Sequence, residues 1–211
     1  MGVHPGHPPG HGSRFGESPL DNMEQIVSSL LPAMPAFANG RYVILGTSMG
    51  AWVGYELCQK LSNLKIRLPE ALLVCASSSP HNKVEEYKFA NLRGAALLSE
   101  LSRLSPELIG APESAELVEM MLPVLEADFG LCERWQPDLR SKLTLPIFGF
   151  SGDKDTFVTR SEMERWSLAT EDKYELNDIS GTHFFVDDPP AALYARLAEI
   201  FGDLPSRRYV R

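Results

Sequence analysis

Residues 43–57, VILGTSMGAWVGYEL, demand an abrupt change of backbone direction. A β-rich apolar run ends at Gly46-Thr47-Ser48-Met49-Gly50, and from about Met49 to Leu61 the apolar residues recur at helical spacing, with Ala51, Trp52, Tyr55 and Cys58 along one face. A strand that turns directly into a helix is the first half of a parallel crossover unit. The rest of the chain repeats that alternation. Strands are expected at Arg41 to Leu45, Ala71 to Ala76, Ile147 to Phe150 and Tyr174 to Ile179. Further helices are expected at Ser161 to Ala169 and after Asp188-Pro189-Pro190, where Asp188 reads as the N-cap and Leu193, Leu197 and Ile200 point toward the core. The expected class is α/β, a mostly parallel sheet with helices on both faces.

A chain of 211 residues with 44% hydrophobic content is expected to form a single domain, 1–211. Its formal charge of −8 gives no basic surface of the kind nucleic acid or anionic lipid requires. Cys58, Cys75 and Cys132 are odd in number and lie in apolar segments, the pattern of buried free thiols in a reducing compartment. No apolar run approaches the roughly 18 residues of a membrane helix. The opening MGVHPGHPPG has no hydrophobic segment of a secretory leader, so a cytoplasmic protein is expected.

Between the second and third strands lie Ser77 to Pro146, about 70 residues and far more than a crossover needs. LRGAALLSELSRL (92–104) and SAELVEMMLPVLEADF (114–129) carry apolar residues three and four apart, and Pro123 is expected to end or kink the second helix. The segment at about 77–146 therefore reads as a helical lid insertion over the carboxyl edge of the sheet.

The Gly-x-Ser-x-Gly pattern holds a serine in a strained turn with its hydroxyl exposed above the sheet and the backbone N–H of Met49 facing the same space. Alone it is a weak signal, present by chance in roughly one chain in ten of this length. The strand before it and the helix after it make it a candidate nucleophile elbow. A serine needs a histidine to take its proton and a carboxylate to orient the histidine, and here the chain order should be serine, acid, histidine. Of the histidines after Ser48, His81 stands at the start of the insertion, whereas His183, in ISGTHFF, follows the last strand. In FSGDKDTFV (150–158) the acid is Asp155, lying deeper in the loop, with Asp153 in reserve. Asp187 and Asp188 follow His183 too closely and read as a helix cap. His4, His7 and His11 lie among Pro5, Pro8 and Pro9, which prevent helical ligand spacing, so no metal site is expected there.

These blocks resemble the type II thioesterases of polyketide and nonribosomal peptide synthesis, which include the medium-chain acyl carrier protein hydrolases. PPGHGSRFGESP (8–19) is similar to the family's loop after an early strand, GTSMGAWVGYEL to its elbow, LPVLEADFGLCERW (122–135) to its lid, and SGDKD and GTHFF to its acid and histidine segments. The resemblance implies an α/β-hydrolase fold, Ser48 as nucleophile, Asp155 as acid, His183 as base and Met49 in the oxyanion hole, with no cofactor and no metal. It implies acyl groups on the phosphopantetheine arm of an acyl or peptidyl carrier domain as substrate, with Arg14, Lys60, Lys65 and Arg67 as candidate docking cations. A general carboxylesterase and a noncatalytic acyl-binding homologue are the alternatives. Thr47 stands where the family usually has histidine. Members also begin with further strands and a Pro-Gly-rich loop that donates a second oxyanion N–H. The expectation is that this segment is missing here and that the chain as written is a weak hydrolase.

Overall fold

The computed structural model describes residues 2–37, 39–82, 92–104 and 115–204. The expected insertion is thus described in part, since 83–91 and 105–114 lie outside those residues. The chain divides into two compact units, Met1–Pro32 with Glu86–Gln136, and Ala33–Glu85 with Pro137–Arg211.

The second unit contains a four-stranded parallel sheet in the order β1 (Ile44–Thr47), β2 (Leu72–Cys75), β3 (Ile147–Gly152) and β4 (Tyr174–Ile179). The two central strands are buried at every residue, as strands covered on both faces must be. β1 and β4, at the edges, are mixed in burial. One face of the sheet packs Leu73, Cys75, Phe148, Phe150 and Ile179 against Phe185, Leu193 and Ile200. Each such side chain contributes roughly 1.5–3 kcal/mol of burial. Cys58, Cys75 and Cys132 are all free and buried. Burial pushes the Cys75 thiol up to about 12 and raises Cys58 further, which keeps both protonated.

The first strand begins three residues later than the periodicity indicates. Its pairing is fixed by Ile44 N–H donating to Ala71 O (3.2 Å) and Ser48 N–H donating to Cys75 O (2.9 Å), so β1 is hydrogen-bonded right up to the serine. α2 (Met49–Asn63) then starts without any linker and buries Ala51, Trp52, Tyr55 and Cys58 together with Val53, Leu57 and Leu61. Gly46 permits this. A Cβ there would overlap the carbonyl of Gly50 and lie 2.6 Å from the Cα of Ala51. At Gly50 itself a Cβ would meet nothing within 4 Å.

Other boundaries depart from the sequence reading for local reasons. The segment after β3 starts at α5 (Arg160–Glu164) and tightens into a 3-10 turn, Arg165–Ala169. Thr159 and Glu162 close a reciprocal capping box at its start. α6 (Ala191–Asp203) has Pro190 at its N-cap and no side-chain cap, so neither Asp187 nor Asp188 caps it. Proline restricts the residue before it to extended backbone, and the Pro189-Pro190 pair delays the helix past Asp188.

In the first unit, α1 (Met23–Leu30) was unmarked by the periodicity argument. Its signal is Asn22, whose side chain accepts the Gln25 N–H (3.2 Å), and it buries Met23, Ile26 and Val27. α3 (Gly94–Leu104) and α4 (Ala115–Arg134) follow. Pro123 does not end α4, which continues to Arg134. Arg134 pairs with Asp21, Arg93 with Glu133, and the Gly94 N–H donates to Glu126.

Gly46→Ala is expected to overpack the strand–helix junction by about 1–3 kcal/mol and lower the melting temperature by about 3–10 °C. Gly50→Ala, in open space within a helix, should raise it slightly. Equal melting temperatures for the two variants would show that the close approach at Gly46 does not govern the junction.

Candidate active site

The elbow residue stands out in its backbone. Ser48 has φ 52° and ψ −123°, a conformation L-residues rarely adopt. It is held from both sides, its N–H by Cys75 O and its carbonyl by the Ala51 N–H (3.0 Å). Serine before a helix usually caps it, but the Ser48 side chain makes no capping hydrogen bond. Its hydroxyl is therefore left for other chemistry. Met49 is the first residue of α2, and a first-turn N–H has no acceptor within its own helix.

Asp155 and His183 come from the ends of β3 and β4 and meet in a 2.9 Å hydrogen bond between Asp155 Oδ2 and His183 Nδ1. The Asp155 side chain is 1% exposed and that of His183 10%. The other carboxylate oxygen, Oδ1, accepts the N–H groups of Phe157 (2.8 Å) and Val158 (3.0 Å). Both oxygens are thus engaged and the carboxylate cannot rotate without losing a bond. A carboxylate only accepts, so Nδ1 carries the proton and Nε2 of the neutral ring is left as an acceptor. The rings of Phe157 and Phe184 flank the imidazole at centroid distances of 5.0 and 5.2 Å.

The two loops are fastened together. Asp153 N–H donates to Ile179 O, Lys154 N–H to Gly181 O, and Gly181 N–H to Asp153 Oδ1, each at 2.9 Å. Gly152 allows the approach, since a Cβ there would lie 2.7 Å from the carbonyl oxygens of Gly181 and Thr182. Asp153 and Asp155, two residues apart, therefore have different partners, and only Asp155 touches the histidine. Phe157 and Phe184 were not singled out by sequence reasoning. Phe184 stands in the GTHFF block, but nothing in the chain's periodicity marks Phe157.

Ser48 shares the carboxyl edge of the sheet with this pair, but its hydroxyl forms no hydrogen bond to His183 here. Such bonds are often long in structures without substrate. His81 sits in the 3-10 turn Pro80–Asn82 after β2, where its Nδ1 faces Ser79 Oγ at 3.4 Å. Burial, with Arg165 and Lys142 nearby, lowers its pKa from the ordinary histidine value. His11 pairs through Nε2 with Asp128 on α4 at 3.0 Å, which raises its pKa. Among the described residues no three His, Cys, Asp or Glu side chains converge as a metal site. No described helix is long and apolar enough to cross a membrane.

Arg14 forms a two-pronged pair with Glu17, and Arg67 pairs with Glu70. Lys60, Lys65 and Arg67 lie at or beyond the far end of the 15-residue α2, which extends about 22 Å from Ser48.

A family model described as "Thioesterase domain" matches residues 1–200. The chain is 29% identical over 198 residues to linear gramicidin dehydrogenase LgrE of Brevibacillus parabrevis, covering 92% of this chain and 75% of that protein. It is similar in structure to the RedJ thioesterase of the prodiginine biosynthetic pathway in Streptomyces coelicolor, with a TM-score of 0.80 and 28% identity over 94% of this chain and 74% of that one. The type II thioesterase BorB from the borrelidin biosynthetic cluster gives a TM-score of 0.75 and 29% identity, with coverages of 91% and 76%. The dehydrogenase in the first relative's name has no counterpart at the β1–α2 turn. A dinucleotide-binding turn would carry Gly-x-Gly-x-x-Gly there, and this one has Gly46-Thr47-Ser48-Met49-Gly50.

Asp155→Asn retains an acceptor for the Phe157 and Val158 N–H groups but turns an NH₂ group toward His183. The imidazole proton is expected to move from Nδ1 to Nε2, and nitrogen-15 NMR of the neutral ring reads that change directly. An unchanged tautomer would mean that Asp155 does not set the state of His183.

Proposed function

Since the chain belongs to the thioesterase domain family, we propose that it hydrolyses acyl thioesters on the phosphopantetheine arm of acyl or peptidyl carrier domains, with Ser48, His183 and Asp155 as the catalytic triad. The observation that carries this reading is the buried Asp155–His183 bond at the same carboxyl edge of the sheet as a serine whose hydroxyl is not used as a helix cap. The carrier-borne substrate is supported by relatives named for gramicidin S biosynthesis and for the prodiginine and borrelidin systems. Three buried free thiols suit a reducing cytoplasm, where such an enzyme would act.

In the reaction, Ser48 Oγ attacks the thioester carbonyl while His183 Nε2 takes its proton. Asp155 keeps the ring in the tautomer that can accept that proton and stabilises the imidazolium formed. The carbonyl oxygen becomes an oxyanion, toward which the Met49 N–H at the start of α2 is a donor. Collapse of the tetrahedral intermediate expels the pantetheine thiolate, which leaves as the thiol with the proton from His183. Water then attacks the acyl-serine ester by the same route, yielding the free carboxylic acid and Ser48. No step needs a metal or cofactor.

The deciding measurement is hydrolysis of a panel of acyl-loaded carrier proteins followed by intact mass, beside a simple aryl ester. Carrier substrates should be cleaved much faster, and a fluorophosphonate probe should label Ser48 and nothing in Ser48→Ala. Asp155→Asn should lower kcat by about 10⁴. A reversed substrate preference would make the protein a general carboxylesterase. Absence of both activities and of labelling would make it a noncatalytic acyl-binding homologue.

A further inference from the structure

We infer that Asp153 is a positioning residue for His183, holding the histidine loop in place through the Gly181 N–H. The inference rests on the catalytic role proposed above for His183. Two of the three ties between the loops, Asp153 N–H to Ile179 O and Lys154 N–H to Gly181 O, are backbone bonds that most substitutions leave intact. The third runs from the Gly181 N–H to the Asp153 carboxylate and can be removed through a side chain.

Its position gives it leverage. Gly181 has φ 147°, outside the range most side chains tolerate, and glycine has the greatest backbone freedom of any residue. A Cβ at 181 would also lie 2.8 Å from the Cβ of Phe185, so the freedom cannot be removed by substitution. Glycine thus leaves the segment just before His183 free to shift unless hydrogen bonds hold it, and the Asp153 bond restrains it two residues from the imidazole. Drift of the loop would lengthen the 2.9 Å bond to Asp155 and misaim Nε2. A misplacement of about 1 Å can lower a rate by about 10².

The contrast between the two carboxylates supports the assignment. Asp155 Oδ1 caps N–H groups two and three residues onward, as turn aspartates commonly do. Both carboxylates also cross to a residue 28 positions away in the loop that carries the base, but Asp155 Oδ2 meets the imidazole whereas Asp153 Oδ1 meets only the Gly181 backbone N–H. The side chain accepts one backbone hydrogen bond and touches no reacting atom, so its contribution is geometric.

The test compares Asp153→Ala, Asp153→Glu and Asp153→Asn in the full chain, in the wild-type and Asp155→Asn backgrounds, with melting temperature and circular dichroism for each. Alanine removes the acceptor, and glutamate keeps the charge but moves the carboxylate off the Gly181 N–H. Both should lower kcat by about 10-fold with KM within about 2-fold of wild type. Asparagine retains the accepting oxygen and should recover most of the loss. In the Asp155→Asn background the alanine effect should vanish, because the geometry it protects is already lost. The low-field Nδ1 proton of His183 should weaken or shift upfield in the alanine and glutamate variants and not in the asparagine variant. Wild-type kcat in Asp153→Ala and Asp153→Glu, a loss in Asp153→Asn equal to that in alanine, or an undiminished alanine effect in the Asp155→Asn background would each overturn the assignment. If instead Ser48→Ala keeps full activity, the catalytic reading itself fails, whatever the Asp153 variants do. A folding defect confined to alanine leaves glutamate and asparagine to decide the question.

Discussion

The carbonyl of Gly50 occupies the space that a side chain at position 46 would fill, and the β1–α2 junction depends on that contact. Because strand and helix backbones can touch there, α2 begins one residue after the serine, and Ser48 has no room to relax into ordinary extended or helical geometry. Backbone bonds to Cys75 and Ala51 maintain the strain. The strained turn also keeps the hydroxyl from capping its own helix, which is what a serine in that position would otherwise do. A neighbouring feature follows the same logic. In the β1–β2 register Thr47 lies opposite Cys75, and the next residue on each strand, Ser48 and Ala76, has a positive φ, 52° and 47°.

What the amino-acid order disclosed depended on how local each feature's cause was. β4 was legible to the residue, because a half-buried edge strand between turns is defined by its own pattern. The placement of β1 was not, since its start and end are set by partners on β2. The delay of α6 was readable from Pro189-Pro190, and the capping box at Thr159 from Thr-x-x-Glu, although periodicity alone suggested other boundaries. Pro123 shows the opposite case. A local rule expects an end or a kink there, and of the two the end does not occur, since α4 runs on to Arg134.

The site divides in the same way. Order along the chain was enough to nominate Ser48, His183 and a carboxylate in FSGDKDTFV. It favoured Asp155 over Asp153 only for lying deeper in the loop, because the distant group that each carboxylate meets is not written in the turn. Both meetings are created by the approach of two loops 28 residues apart, which Gly152 permits. The surroundings of the candidate docking cations were hidden for a related reason. Charge is visible in a sequence, but the ion pairs of Arg14 and Arg67 and the direction of α2 are not.

Fastening the acid and histidine loops mainly through backbone atoms separates what the two loops must keep from what they can change. Lys154 and Thr156 are exposed on the acid loop. Neither contributes a side chain to the Asp155–His183 bond or to the three ties that hold the loops. Their side chains are thus open to mutation while the imidazole stays aimed, provided glycine is kept at 152 and 181. A scaffold of this kind can diversify its rim without rebuilding its chemistry, so descendants of one ancestor could acquire different rim surfaces through a handful of substitutions in these loops.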